Sequence, residues 1–171
     1  QDVSLRHIEA LQSLLQNPAA SACTSLPHGL TAQMFYGRFR IEKNAVFLQK
    51  TPILIPGETF LPDVGWKISC SLTKNLQNFA NSPFHFALKY DMIAKHGISV
   101  RSRQVSDELT LSCRKSLKKW FIERKVPVFD REKLPVFLSG DQLVAVAGLG
   151  ADRAFRPNSE DEALVVRIDP A

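Results

Sequence analysis

The stretch Pro135-Val136-Phe137-Leu138-Ser139-Gly140-Asp141-Gln142-Leu143-Val144-Ala145-Val146 holds two short apolar runs on either side of a Ser-Gly-Asp triplet. Each run is too short for an ordinary helix but suits a buried strand. A glycine beside an aspartate is a hairpin signal, because a two-residue turn needs positive φ and glycine adopts it at no steric cost. The stretch therefore reads as an antiparallel hairpin, residues 135–138 and 142–146, and places an antiparallel sheet at the centre of the fold.

Working outward, residues 163–168 supply a further strand on the C-terminal side. On the N-terminal side, residues 97–103 and 108–111 read as strands, 114–125 as a helix ended by Pro127, and 130–134 as a short helical turn. Residues 66–73 and 84–90 are strand candidates separated by the polar stretch 74–82. Pro52, Pro56-Gly57 and Pro62 limit any strands between them to short or edge positions, since proline cannot donate to a ladder. Further upstream, residues 31–36, 38–42 and 45–49 form a β-meander pattern, and 19–27, small, polar and proline-terminated, a loop. Residues 4–16 space Leu5, Ile8, Leu11 and Leu15 as one face of a helix, with Ser4 as N-cap and Asn17-Pro18 as the stop. The predicted class is α+β, an antiparallel sheet packed with few helices in two small subdomains. The first, residues 1–55, ends a linking helix and carries the meander; the second spans 56–171.

Among the 171 residues, 44% are hydrophobic and 23% charged, ordinary proportions for a globular protein. No apolar run approaches the ~20 residues that span a bilayer, and the first residues lack a basic-then-apolar signal pattern. No membrane partner is expected, and the absence of an initial methionine suggests a piece of a longer chain. Cys23, Cys70 and Cys113 match no disulfide framework or zinc spacing, an odd and sparse set that fits a reducing cytosol.

The formal charge is +5, unevenly spread. Residues 95–133 carry eleven Lys/Arg against five Asp/Glu, a balance of +6, whereas 134–171 carry three against six, a balance of −3. Concentrated positive charge points to a polyanionic partner.

Catalytic patterns are missing. Gly148-Leu149-Gly150 is a lone G-x-G with no helix after it, and a tight turn accounts for it better than a phosphate loop does. His7, His28, His85 and His96 include no pair at metal-binding spacing. Asp107 and Glu108 are adjacent, so on a strand they face opposite ways. No Ser, Cys or Thr sits in a nucleophile motif.

The informative segment runs from Ser112 to Lys125. On a helical wheel Leu117, Trp120 and Phe121 share the apolar face, and Lys115, Lys118 and Lys119 take the other. Arg101 and Arg103 alternate with their neighbours, so both leave one face of their strand. A helical row and a strand row of cations could grip a phosphate backbone. A solvated lysine face that merely keeps a domain soluble has the same pattern.

A family resemblance rests on successive blocks: Val100-Arg101-Ser102-Arg103, Lys115-Ser116-Leu117-Lys118-Lys119-Trp120-Phe121, Lys125-Val126-Pro127, Arg131 before Leu134-Pro135, and Leu138 through Gly148. Together they resemble the C-terminal domain of tRNA(Ile)-lysidine synthetases. His7-Ile8-Glu9 and Leu26-Pro27-His28-Gly29-Leu30 resemble the substrate-binding region that precedes it. The resemblance implies a parent ligase that adenylates the wobble cytidine of tRNA(Ile) with ATP and magnesium, then joins lysine to it. The parent's ATP loop, S-G-G-x-D-S in an N-terminal catalytic domain, is absent from these residues. The resemblance therefore implies a cytoplasmic tRNA-binding portion, inactive alone, with tRNA(Ile) and the missing N-terminal domain as partners and room for a homodimer. Together with the placement of the positive charge, this gives Arg101, Arg103, Arg114, Lys115, Lys118, Lys119 and Arg131 as the expected tRNA contacts. One departure is Val105-Ser106-Asp107-Glu108, where many members carry a Gly-Asp-Arg-like turn. The rival is a structural or protein-interaction module with an incidental basic face.

Overall fold

A computed structural model describes residues 2–17, 22–35, 37–43, 47–77 and 79–171. The chain divides into two compact units, Gln1–Ala45 and Val46–Ala171. That division lies ten residues before the boundary expected between 55 and 56. The physical reason is β4 (Thr51–Pro52), which pairs antiparallel with β8 (Ser99–Arg101) of the second unit.

In the first unit α1 (Leu5–Gln16) starts at Ser4, whose backbone N–H donates to Nδ1 of His7 at 2.9 Å. His7 thus takes the place that Glu or Gln holds in a capping box. The helix rests on a sheet of β1 (Ala22–Leu26), β2 (Leu30–Phe35) and β3 (Arg38–Lys43), in the order β1-β2-β3. Its small core is Leu14, Ala32 and Met34, with Leu11 and Leu26 against it. Of the expected apolar stripe only Leu11 reaches this core; Leu5, Ile8 and Leu15 are exposed. The expected loop at 19–27 is a further correction, because it contains β1. Ala22, Cys23, Thr24 and Ser25 lack an apolar alternation, and their strand exists through pairing with residues 31–34 of β2. Tyr36, Ala45 and Val46, parts of expected strands, lie outside the described residues, while residues 47–49 are irregular.

The second unit stacks two antiparallel sheets. One has the order β5-β6-β14-β7, formed by β5 (Gly57–Leu61), β6 (Trp66–Thr73), β14 (Ala163–Pro170) and β7 (His85–Lys89). The other runs β13-β12-β11-β8-β4, with β11 (Val136–Ser139), β12 (Gln142–Val146) and β13 (Gly150–Ala151). Phe86 of β7 and Phe137 of β11 meet edge to face at 5.4 Å, so the core fills the space between the sheets. β4 and β5 are edge strands, as the neighbouring prolines require. The hairpin closes with Ser139 opposite Gln142, and Gly140 has φ 61° at the first turn position. Short helices α2 (Tyr90–Ile93), α3 (Leu117–Glu123) and α4 (Val128–Lys133) and a ribbon of β9 (Glu108–Thr110) with β10 (Arg114–Ser116) complete the α+β unit. Among the described residues no helix is long and apolar enough to cross a membrane.

The helix expected over 114–125 is shorter by a strand. Residues 114–116 pair with β9, Ser116 keeps an extended backbone, and Leu117 N–H donates to the Asp107 carbonyl at 3.0 Å. At the other end Val126 N–H reaches back to the Phe121 carbonyl (2.8 Å) and Lys125 N–H to that of Ile122 (3.0 Å). This is a Schellman closure, and it puts Lys125 at φ 53°, a conformation that usually belongs to glycine.

Candidate functional site

Leu117, Trp120 and Phe121 are the inward side of α3, all buried. The Trp120 indole N–H donates to the Leu109 carbonyl at 2.8 Å, so its one polar atom is satisfied inside the core. These aromatics anchor the helix rather than offer a stacking surface. Anchoring them turns Lys118 and Lys119 outward, where both are exposed.

The other cations expected at the site are each tied down. Arg101, at the end of β8, forms a two-pronged pair with Asp107, Nη1 to Oδ2 at 2.7 Å and Nη2 to Oδ1 at 2.8 Å. Both partners are largely shielded from solvent, with side-chain exposures of 13% and 7%. Arg103 lies beyond the end of β8, and its Nε donates to Glu132 at 2.9 Å. Arg114 closes on Glu108 across the β9–β10 ribbon at 2.7 Å. Lys115 is on β10, not on the helix; it reaches Glu123 at 2.6 Å and sits over the Trp120 ring, 4.6 Å from its centroid. The hydrogen bond to Glu123 raises the Lys115 pKa above the ordinary lysine value. Arg131, half-buried, donates from Nε to the Val126 carbonyl at 2.9 Å.

The helical row and the strand row of cations expected from periodicity therefore do not form. Lys115 leaves the helical row because strand pairing with Leu109 of β9 claims it, and the two arginines answer to carboxylates on different elements. Among the described residues, the side chains of Lys118, Lys119, Arg124 and Lys125 form no hydrogen bond or ion pair, and all four are exposed. Arg124 and Lys125 were missed in the sequence because a continuous helix to residue 125 hides the C-cap. Lys95, after α2, is likewise exposed and unpaired but lies on a different element.

The departing turn is organised by Asp107. Its carboxylate also accepts the Gln104 N–H at 2.7 Å, and its own N–H donates to the Gln104 carbonyl at 3.2 Å. Residues 104–107 thus close around a carboxylate that already holds Arg101.

Among the described residues neither a phosphate loop entering a helix nor a metal-ligand cluster is formed. Gly148-Leu149-Gly150 is the turn from β12 to β13, with Leu149 N–H on the Val146 carbonyl at 3.0 Å, and leads into no helix. Among the described residues no three His, Cys, Asp or Glu gather as metal ligands. Cys70 is buried, which pushes its thiol up to about 12, while Cys23 and Cys113 are exposed and free.

With this geometry in place, residues 98–168 match the family described as the TilS substrate C-terminal domain. Over these residues the chain resembles a TilS C-terminal domain. Similar proteins include the tRNA(Ile)-lysidine synthase of Symbiobacterium thermophilum, 30% identical over 146 residues, covering 78% of this chain and 30% of that protein. The tRNA(Ile)-lysidine synthase of Caldanaerobacter subterraneus subsp. tengcongensis is 27% identical over 167 residues, 94% of this chain and 35% of that protein. The chain thus spans about a third of the length of these relatives. A solved structure described as a crystal structure of the TilS C-terminal domain superposes with a TM-score of 0.62 at 21% identity, covering 71% of this chain and 96% of that one. The α+β fold is that of the TilS C-terminal domain, and the resemblance read from residues 98–153 is borne out.

Proposed function

We propose that this chain is the tRNA-gripping portion of a tRNA(Ile)-lysidine synthase. In this reading the longer protein joins lysine to the wobble cytidine of tRNA(Ile) in the cytoplasm. ATP and magnesium belong to an N-terminal catalytic domain of that protein, whose partner this chain is, and no chemical step is assigned to the residues described here. The carrying observation is the run of four unpaired, exposed cations between residues 118 and 125, in a domain whose relatives are named for tRNA(Ile). Lysines on a short helix are mobile point charges suited to phosphate and poor at two-pronged base reading. A paired RNA stem also hides its base edges in a narrow major groove, so a grip on it works through shape and phosphate.

Lys118, Lys119, Arg124 and Lys125 carry the contact. Arg101, Arg103, Arg114, Lys115 and Arg131 support the surface through their pairs. If each free cation neutralises one phosphate, log affinity for tRNA falls with log salt at a slope of about 3. Titration with tRNA at several salt concentrations measures it. Binding without salt dependence, or no binding at low salt, would overturn the reading in favour of an interaction module with an incidental basic face.

A further inference from the structure

We propose that a groove in the second unit holds one unpaired nucleobase, an inference that rests on the tRNA reading and adds a second contact to it. The groove, of about 510 Å³, runs between the segment before β4, the end of β8 and the β11–β12 hairpin. Leu48 and Leu138, both buried, line it with apolar surface. Beside them Phe47, also lining the groove, keeps 63% of its surface exposed. A large aromatic left open beside an apolar cleft is a stacking platform, and every base offers it a π-face.

The polar groups of the groove suit a base better than a phosphate. Lys50 pairs with Asp141 at 3.1 Å and Arg101 with Asp107, so the cations here are compensated. A phosphate would have to compete with those carboxylates, whereas an uncharged planar ring would not. Gln49 and Gln104 also line the groove, and neither side-chain amide has a partner among the described residues. Each offers a donor pair and an acceptor, the complement of a base edge. Arg101 spends three N–H groups, on Asp107 twice and on the Ser102 carbonyl, which leaves two of its five donors unspent. Because Asp107 holds the guanidinium in place, those donors are presented without loss of side-chain freedom. A volume of this size accommodates a small ligand of nucleoside dimensions. The charge layout thus separates two tasks, bare cations on α3 for the backbone and a neutral aromatic cleft for a base outside the stem.

The test uses the whole chain and two kinds of RNA: a blunt hairpin, and the same hairpin with four unpaired nucleotides added to its 3′ or its 5′ strand. The expected result is that at least one extension tightens binding by about five-fold or more, the range for one stacked base. Phe47→Ala should abolish that gain and leave the affinity for the blunt hairpin within two-fold, while Phe47→Tyr should keep it. Replacing Lys118 and Lys119 with alanine should weaken binding of both RNAs by the same factor. Equal affinity for blunt and extended hairpins, or a gain that survives Phe47→Ala, overturns the base site and leaves the tRNA grip standing. Failure to bind either RNA overturns both.

Discussion

Two sets of cations in the second unit differ in what they face. Arg101, Arg103, Arg114 and Lys115 each close on a carboxylate, whereas Lys118, Lys119, Arg124 and Lys125 close on none among the described residues. Both sets lie within the same basic segment, and a count of charges along the chain treats them alike. The fold does not. It spends Asp107, Glu108, Glu123 and Glu132 on the first set, so the charge left for a polyanion concentrates on the outer side of α3 and its C-cap. Net charge tells how much positive potential a segment can offer; pairing tells where it is offered.

The comparison is broken most directly at its buried member. Asp107→Ala should destabilise the protein by about 3–5 kcal/mol, because it leaves the Arg101 guanidinium shielded and uncompensated. It also removes the acceptor that closes the 104–107 turn. Thermal or denaturant unfolding measures the loss, and a change below about 1 kcal/mol would place this pair with ordinary surface pairs. Trp120→Ala should cost a similar ~3–5 kcal/mol, as expected for truncating an aromatic in a core. A Trp120→Ala protein with its melting temperature intact and its RNA binding lost would instead make the indole a stacking group.

Binding sharpens the contrast. Replacing Lys118 and Lys119 together should reduce the salt slope for tRNA by about 1.4–1.8 without changing stability, since both project from the helix away from its core. Lys115→Ala should change the slope far less, because its ammonium already serves Glu123. Equal effects of the two variants would mean that the pairing is given up on RNA binding.

The smallest expected effect lies at Lys125. Lys125→Gly relieves a left-handed backbone while loosening the unfolded chain, for a net gain of about 0.5–1 kcal/mol. It should also lower the salt slope by about 0.7–0.9. A gain in stability with unchanged tRNA affinity would remove Lys125 from the grip.

Sequence by itself determined the antiparallel α+β character, the central hairpin, β6 over its full length, the restriction of any strands between Pro52 and Pro62 to short or edge ones, and the inward face of α3. Each rests on a local cause, such as a positive-φ turn, a period of two or of 3.6, or a proline that cannot donate. It also located the basic segment and, through its motif blocks, the family. Tertiary structure decided the rest. β1 has no apolar alternation and exists because β2 lies beside it, and residues 114–116 became a strand because β9 outcompeted the helix. Whether a cation is free depends on a carboxylate 6 residues away for Arg101 and 29 away for Arg103. Helical periodicity can show which way Lys118 points, because that follows from the residues next to it. It cannot show that Arg101 is already held, because an ion pair is a distance in space.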